Sequence, residues 1–295
     1  MDYVLPNELV DRMVFIGMLF TTPTAHPWRT CFRTCSMKNW SVNLLTSLAP
    51  ADPSMSFDEA DIWERLANSR RAPLEPDWLG EVYSPSLSVD LRRTLSEKLG
   101  MLADRGWPFI DRLLQRHGEL PDLVMAAGLC HQIEARDWLL DLLERSRDNN
   151  SINLMTVQAL GCWGAEVPTS VVNQCLQHPG QEHRLAGLKL LEFRSHCLTD
   201  NELLQFCREA LDDFRDPVAI AAIRVLQRRD GTTISAQLAE LCRVGSDGVA
   251  DAAFRALSCI ATSDSQQFLL ELSQTLQDES RRKLAGQKLN EQFRT

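Results

Sequence analysis

The residues best equipped for chemistry crowd into one short stretch, His131-Gln132-Ile133-Glu134-Ala135-Arg136-Asp137-Trp138. An imidazole and two carboxylates can exchange protons once their pKa values are tuned. Arg136 can hold an anionic group, and Trp138 offers a flat aromatic face. Further along, the chain runs Cys162-Trp163-Gly164-Ala165-Glu166, again pairing a tryptophan with a carboxylate. His131, Glu134 and Asp137 are therefore candidates for proton transfer, and Trp138, Trp163, Arg136 and Glu166 for ligand contact. His183 and Arg184, followed by Arg215 and Arg224, add cationic donors. The same residues have a plainer reading, in which Asp137 is an N-cap, Trp138 packs under a turn, and Glu134 and Arg136 are solvated.

What would position these side chains is a repeat. A leucine recurs at Leu99, Leu129, Leu160, Leu190, Leu226, Leu257 and Leu289, in steps of 30, 31, 30, 36, 31 and 32 residues. Four residues before each stand Leu95, Met125, Thr156, Ala186, Ala222, Ala253 and Ala285, the spacing of one helix face. Small residues there let helix backbones approach closely. A second helix is expected after each, over Pro108–Arg116, Asp137–Arg145, Pro168–Gln177, Asp200–Leu211, Ile234–Arg243 and Ser265–Leu276. Short turns make the partners antiparallel. Asp216-Pro217, Ser246-Asp247, Asn150-Ser151, Thr199-Asp200 and Ser263-Asp264 read as helix starts, with Asp216 as an N-cap ahead of a first-turn proline. The 36-residue step is expected to come from a longer second helix over Thr199–Phe214. The fold class is thus all-α, an α-α superhelix of right-handed, short helix pairs over 86–295.

Before it, 39–85 reads as a helical N-terminal cap, with a helix over Phe57–Ser69 carrying Ile62, Trp63 and Leu66. Residues 1–38 read as an irregular extension. Met13–Phe20 is an apolar run of eight, too short for the roughly 20 residues of a membrane span, and the preceding Asp2, Glu8 and Asp11 do not fit a signal peptide. Met37-Lys38-Asn39-Trp40 opens the first amphipathic pattern, so the residues before Met37 are expected to be an unfolded extension or an upstream reading of the gene.

Of 295 residues, 44% are hydrophobic and 24% charged, a globular profile, and the formal charge of -9 argues against a nucleic-acid partner. A basic or neutral protein partner suits it better. The nine cysteines include no Cys-x-x-Cys. Cys130, Cys162, Cys175, Cys197, Cys207, Cys242 and Cys259 are spread singly through helical patterns, where cysteine acts as a small apolar side chain, so no metal site or catalytic thiol is expected and a reducing cytoplasm is. There is no His-Glu-x-x-His, no phosphate-cradling loop ending in Lys-Ser/Thr and no Gly-x-Ser-x-Gly.

Asp216-Pro217-Val218-Ala219-Ile220-Ala221-Ala222-Ile223-Arg224-Val225-Leu226 resembles the signature of short HEAT-like repeats, in particular those of the E/F-type phycobilin lyases of cyanobacteria and their relatives. Ala219 stands where that signature has arginine, and the other units lack the Asp-Pro pair. The iron-holding His-Glu dipeptides of HEAT-like deoxyhypusine hydroxylases are missing; only the reversed Glu182-His183 occurs. The resemblance implies a lyase or lyase-isomerase that attaches a bilin, a linear tetrapyrrole, to a cysteine of a phycobiliprotein subunit. The bilin would be substrate rather than resident cofactor, and a second HEAT-like subunit a further partner. His131, Glu134 and Asp137 would then move protons, Trp138 and Trp163 would face the pigment, Arg136, His183, Arg184 and Arg224 would hold its propionates, and Glu166 would meet its pyrrole nitrogens. The alternative is a non-catalytic HEAT-repeat scaffold or chaperone that grips a protein.

Overall fold

The computed structural model of the protein describes residues 58–293; the expected extension and the first part of the expected cap lie outside the described residues. Helix α1 (Glu59–Ala67) starts where the Asp58 carboxylate accepts a bond from the Ala60 N–H at 3.1 Å. It buries Ile62 and Leu66, whereas Trp63 is 40% exposed and belongs to the surface. Helix α2 (Pro76–Val82) begins with proline, whose missing donor costs nothing in a first turn. Six antiparallel pairs follow: α3 (Val89–Gly100) with α4 (Trp107–His117), α5 (Pro121–Leu129) with α6 (Ile133–Arg145), α7 (Asn150–Leu160) with α8 (Thr169–Gln177), α9 (Gln181–Arg194) with α10 (Asp200–Leu211), α11 (Asp216–Leu226) with α12 (Thr232–Val244), and α13 (Asp247–Ile260) with α14 (Ser263–Thr275). Helix α15 (Glu279–Glu291) closes the series, and no strand occurs among the described residues.

The helices form two layers. Helices α3, α5, α7, α9, α11, α13 and α15 each pack on the next, making a continuous first layer. In the second layer α2 packs on α4, and α8, α10, α12 and α14 pack in sequence, but α6 makes only sparse backbone approach to α4 or α8. This is an α-α solenoid of short helix pairs.

The repeat leucines all fall in the first layer. Leu99, Leu160, Leu226 and Leu257 are fully buried and Leu190 nearly so, while Leu129 and Leu289 are half-buried. Four residues upstream, Leu95, Thr156, Ala222, Ala253 and Ala285 are buried without exposure. The Thr156 hydroxyl is satisfied inside its own helix by the Ile152 carbonyl at 2.8 Å, so the position stays polar without an orphan. Two glycines extend this seam. A Cβ on Gly100 would lie 2.7 Å from the Leu129 Cβ, and one on Gly128 only 2.3 Å from the Ala159 carbonyl oxygen. Successive helices therefore touch backbone to backbone there.

The caps are side-chain acceptors, with shifts from the expected positions. Thr199 and Glu202 form a capping box, and Ser246 accepts from the Val249 N–H. Helix α7 is capped by Asn149 rather than Asn150, and α14 by Thr262 rather than Ser263. Asp216 is no cap at all: it is the first residue of α11, and its carboxylate accepts at 2.9 Å from the Ser246 hydroxyl, itself the cap of α13. The side chain joins two neighbouring units instead of its own helix start. The 36-residue step also has another origin, since α10 is 12 residues long and α12 is 13. Helix α9 instead runs four residues past Leu190 to Arg194, further than any other first-layer helix runs past its repeat leucine.

A steric seam predicts opposite effects for two glycines. Gly128→Ala should destabilise the fold by about 1–3 kcal/mol, because the new methyl meets backbone that cannot move aside. Gly161→Ala, whose Cβ meets nothing within 4 Å at φ -55, should be neutral or stabilising by up to about 1 kcal/mol. Urea titrations of both variants followed by circular dichroism check this, and equal effects would contradict the close-contact account.

Candidate functional site

The expected site residues divide between opposite rims. Turns leading from a first-layer to a second-layer helix lie on one rim, and return turns lie on the other, a helix length of about 15–20 Å away. On the first rim α5 ends at Leu129, and His131 takes the left-handed conformation, φ 50, that closes a helix C-terminus. Its ring comes to 5.0 Å from the Trp163 ring. Trp163 sits in a 3-10 turn, Gly161–Glu166, that packs against α5 and α9 and is kinked at Gly164, φ 54. The Arg136 guanidinium lies 5.5 Å over the same indole and bonds the Asp137 carboxylate at 3.2 Å. His131, Arg136 and Trp163 are thus brought together. Trp163 is 7% exposed, and its indole nitrogen is buried without an acceptor.

Trp138 points to a different neighbour. It is half-buried, 6.5 Å from the Trp107 ring at the start of α4. Large rings therefore fill both gaps beside α6, Trp107 and Trp138 towards α4 and Trp163 towards the next unit, where the second-layer backbones do not meet. Asp137 is the fifth residue of α6 and not an N-cap; that position belongs to Gln132, which makes no side-chain capping bond. Glu134, in the first turn of α6, and Glu166 are exposed.

On the second rim His183 is buried, stacked on His178 with centroids 3.7 Å apart, and its Nε2 has no partner. The His178 Nδ1 accepts from the Gly180 N–H at 2.9 Å. Arg184 donates to the His178 carbonyl at 2.8 Å and to Asp213 at 2.9 Å. Arg215 forks onto both oxygens of Asp213 and reaches the Pro179 carbonyl at 2.9 Å. Neither arginine is left to hold a propionate. Arg224 alone of the expected cations is exposed, in the last turn of α11.

Sequence reasoning missed a wider pattern of this kind. Arg194 donates to the Ala165 and Val167 carbonyls, Arg229 to the Ser195 and Leu198 carbonyls and to Asp200, and Arg281 to the Arg243 and Gly245 carbonyls and to Asp247. Each arginine ties its turn to the turn of the preceding unit. The Asp213-Phe214-Arg215 triplet, an acid two residues before an arginine, was the one local signal for such a fork. Another polar cluster joins α2 to the stack: the Tyr83 hydroxyl donates to Asp122 at 2.5 Å, which also accepts from Ser96 at 3.2 Å. Desolvation and the Asp122 charge push the Tyr83 hydroxyl well above its usual range.

Burial keeps several of the described thiols protonated, whereas Cys197 and Cys259 are exposed. Cys130 is pushed up to about 11, and Cys162, Cys175 and Cys207 to about 12, so little nucleophilic thiolate forms near neutrality. Among the described residues no three His, Cys, Asp or Glu side chains are grouped to hold a metal ion, and no helix is long and apolar enough to cross a membrane.

The histidine pair gives the fold an acid-sensitive point. Burial, then the neighbouring His178, lowers His183 to about 4, and burial with Arg184 lowers His178. The unfolded chain therefore binds protons that the folded chain resists, and stability should fall as pH drops from about 6.5 towards about 4, by on the order of 2–3 kcal/mol. Asp213, held at about 2 mainly by its bonds from Arg215, acts in a separate window, losing its contribution only below the ordinary carboxylate range. His183→Leu should flatten the loss between about pH 6.5 and 4 without changing the lower window, as read by urea titrations across pH.

No protein-family model matches the chain, and no curated relative does, so neither comparison supports the expected kinship with phycobilin lyases. Among solved structures, human deoxyhypusine hydroxylase in complex with glycerol aligns at 15% identity with a TM-score of 0.34, covering 79% of this chain and 100% of that one. A designed armadillo repeat protein aligns at 15% identity with a TM-score of 0.35, covering 74% and 99%. The two-layer solenoid rests on the helix contacts themselves rather than on these likenesses.

Proposed function

We propose that the chain is a helical-repeat scaffold that grips a protein partner along its second layer. One observation carries this reading: where the rim chemistry is spent on folding, α8, α10, α12 and α14 keep a set of amides unspent, although Arg243 of α12 bridges Glu240 and Glu271. Gln177, Asn201, Gln205, Gln237 and Gln274 stand on the outward face of these helices, and none of their amides makes a hydrogen bond within the described residues. An amide both donates and accepts, so such a row suits a polypeptide surface without demanding a charge. Stacked repeats characteristically offer an extended surface of this kind.

A second reading, bilin binding with transfer to a phycobiliprotein subunit, draws support from the His131, Arg136 and Trp163 cluster, which gathers a cation and two rings on one rim, with Trp163 itself buried. Holding thiol and bilin side by side would be its catalytic device. The buried His183 and the engaged Arg184 leave its propionate contacts to Arg136 and Arg224.

Two measurements separate the readings. With a photo-crosslinking residue at Gln237 or Gln274, the full chain should trap one defined protein in its source cells, and the same residue at exposed Arg224 of the first layer should not. Co-expression with bilin-synthesis enzymes should leave the chain colourless and without zinc-induced fluorescence. A coloured complex that Arg136→Ala bleaches while helicity is unchanged would establish the bilin reading instead.

A further inference from the structure

A groove runs lengthwise between α10 and α12, lined by Asn201, Leu204, Gln205, Arg208, Asp212 and Gln237. From Asn201 to Asp212 it follows eleven residues of helix, about 16 Å, the length of about five residues of extended chain. Its floor is apolar through Leu204, and its walls carry three free amides. Arg208 and Asp212 stand one helical turn apart, and although the Asp212 N–H donates to the Arg208 carbonyl at 3.2 Å, neither side chain pairs with a described residue. Nearby, Arg184, Arg215 and Arg229 are all engaged with acids. Beyond the Asp212 end, the turn after α10 holds Phe214 at 89% exposed, and the last residue of α12, Val244, is 69% exposed.

We propose that this groove binds an extended polypeptide segment whose side chains are, in space, a polar residue, an acid, a base two positions on, and an apolar residue. The proposal rests on the scaffold reading and names the partner chemistry of one part of that face. Residues i and i+2 of an extended segment share a side and lie about 6.8 Å apart, which matches the separation of side chains one helical turn apart. The acid then meets Arg208 and the base meets Asp212. The amides of Asn201, Gln205 and Gln237 meet main-chain N–H and C=O groups, which an extended segment leaves unpaired along both edges. The apolar residue covers Val244 and the Phe214 ring beside the Arg215 guanidinium.

Fluorescent peptides test it against the full chain by anisotropy. The probe acetyl-Ser-Gln-Ser-Glu-Ser-Lys-Ser-Leu and its reversed sequence represent the two possible directions, and matched probes carry Glu-Ser-Glu or Lys-Ser-Lys in place of Glu-Ser-Lys. One direction of the Glu-Ser-Lys probe should bind saturably and about tenfold tighter than either like-charged probe. Asp212→Arg should reverse the order, so that the Glu-Ser-Glu probe becomes the tightest, a gain that misfolding cannot produce. Glu64→Arg on α1, an equal change of charge at an exposed and distant position, should leave the order as it was. Absence of saturable binding by both Glu-Ser-Lys probes, or the same reversal in Glu64→Arg, overturns the proposal. In that event a partner still crosslinked from Gln274 would leave the scaffold reading standing with its contact elsewhere on the face, whereas loss of every such crosslink would remove both.

Discussion

Everything in this molecule depends on how closely the first-layer helices approach one another. The leucine ridge supplies apolar area, but area alone does not fix spacing; the alanines and glycines beside it do. At Gly128 the next helix backbone occupies the place a methyl group would take, so the seam tolerates no slack and each unit is registered against its neighbour. Every helix pair is too small to bury its own apolar face, and the stack is stable because each shields the next. The second layer follows at a distance set by whatever side chains stand between its helices, which is why it can part around α6 and admit Trp107, Trp138 and Trp163.

Close packing leaves turn carbonyls on both rims that no helix satisfies. Arginines meet this need repeatedly: Arg194 and Arg229 on one rim, Arg215 and Arg281 on the other. A guanidinium with five donors can serve two or three carbonyls and an acid together. The consequence for function is that charge and hydrogen-bonding capacity on the rims is largely committed to holding units together. Asp213, with a side chain 1% exposed between Arg184 and Arg215, shows the extreme case. Arg184 and Arg215, which look like anion-binding groups in the linear chain, are here tied to turn carbonyls and to Asp213. The amides of Asn201, Gln205 and Gln237, by contrast, make no hydrogen bond among the described residues.

The sequence by itself determined the architecture. Leucines at a near-constant interval with small residues four positions earlier specify helix after helix with one face buried, and the observed second-layer helices match the expected spans to within a few residues, although α10 stops at Leu211 short of the longer span to Phe214. Helix starts at Thr199 and Ser246 were equally legible, because capping is local chemistry within four residues. Only the tertiary structure decided what the polar residues do. Whether Asp216 caps its own helix or reaches Ser246, and which tryptophan meets His131, depend on contacts between units some thirty residues apart. A periodic pattern specifies that neighbouring units touch; it does not specify which long side chain crosses the gap, since that choice is made by the few ångströms between backbones that folding alone sets.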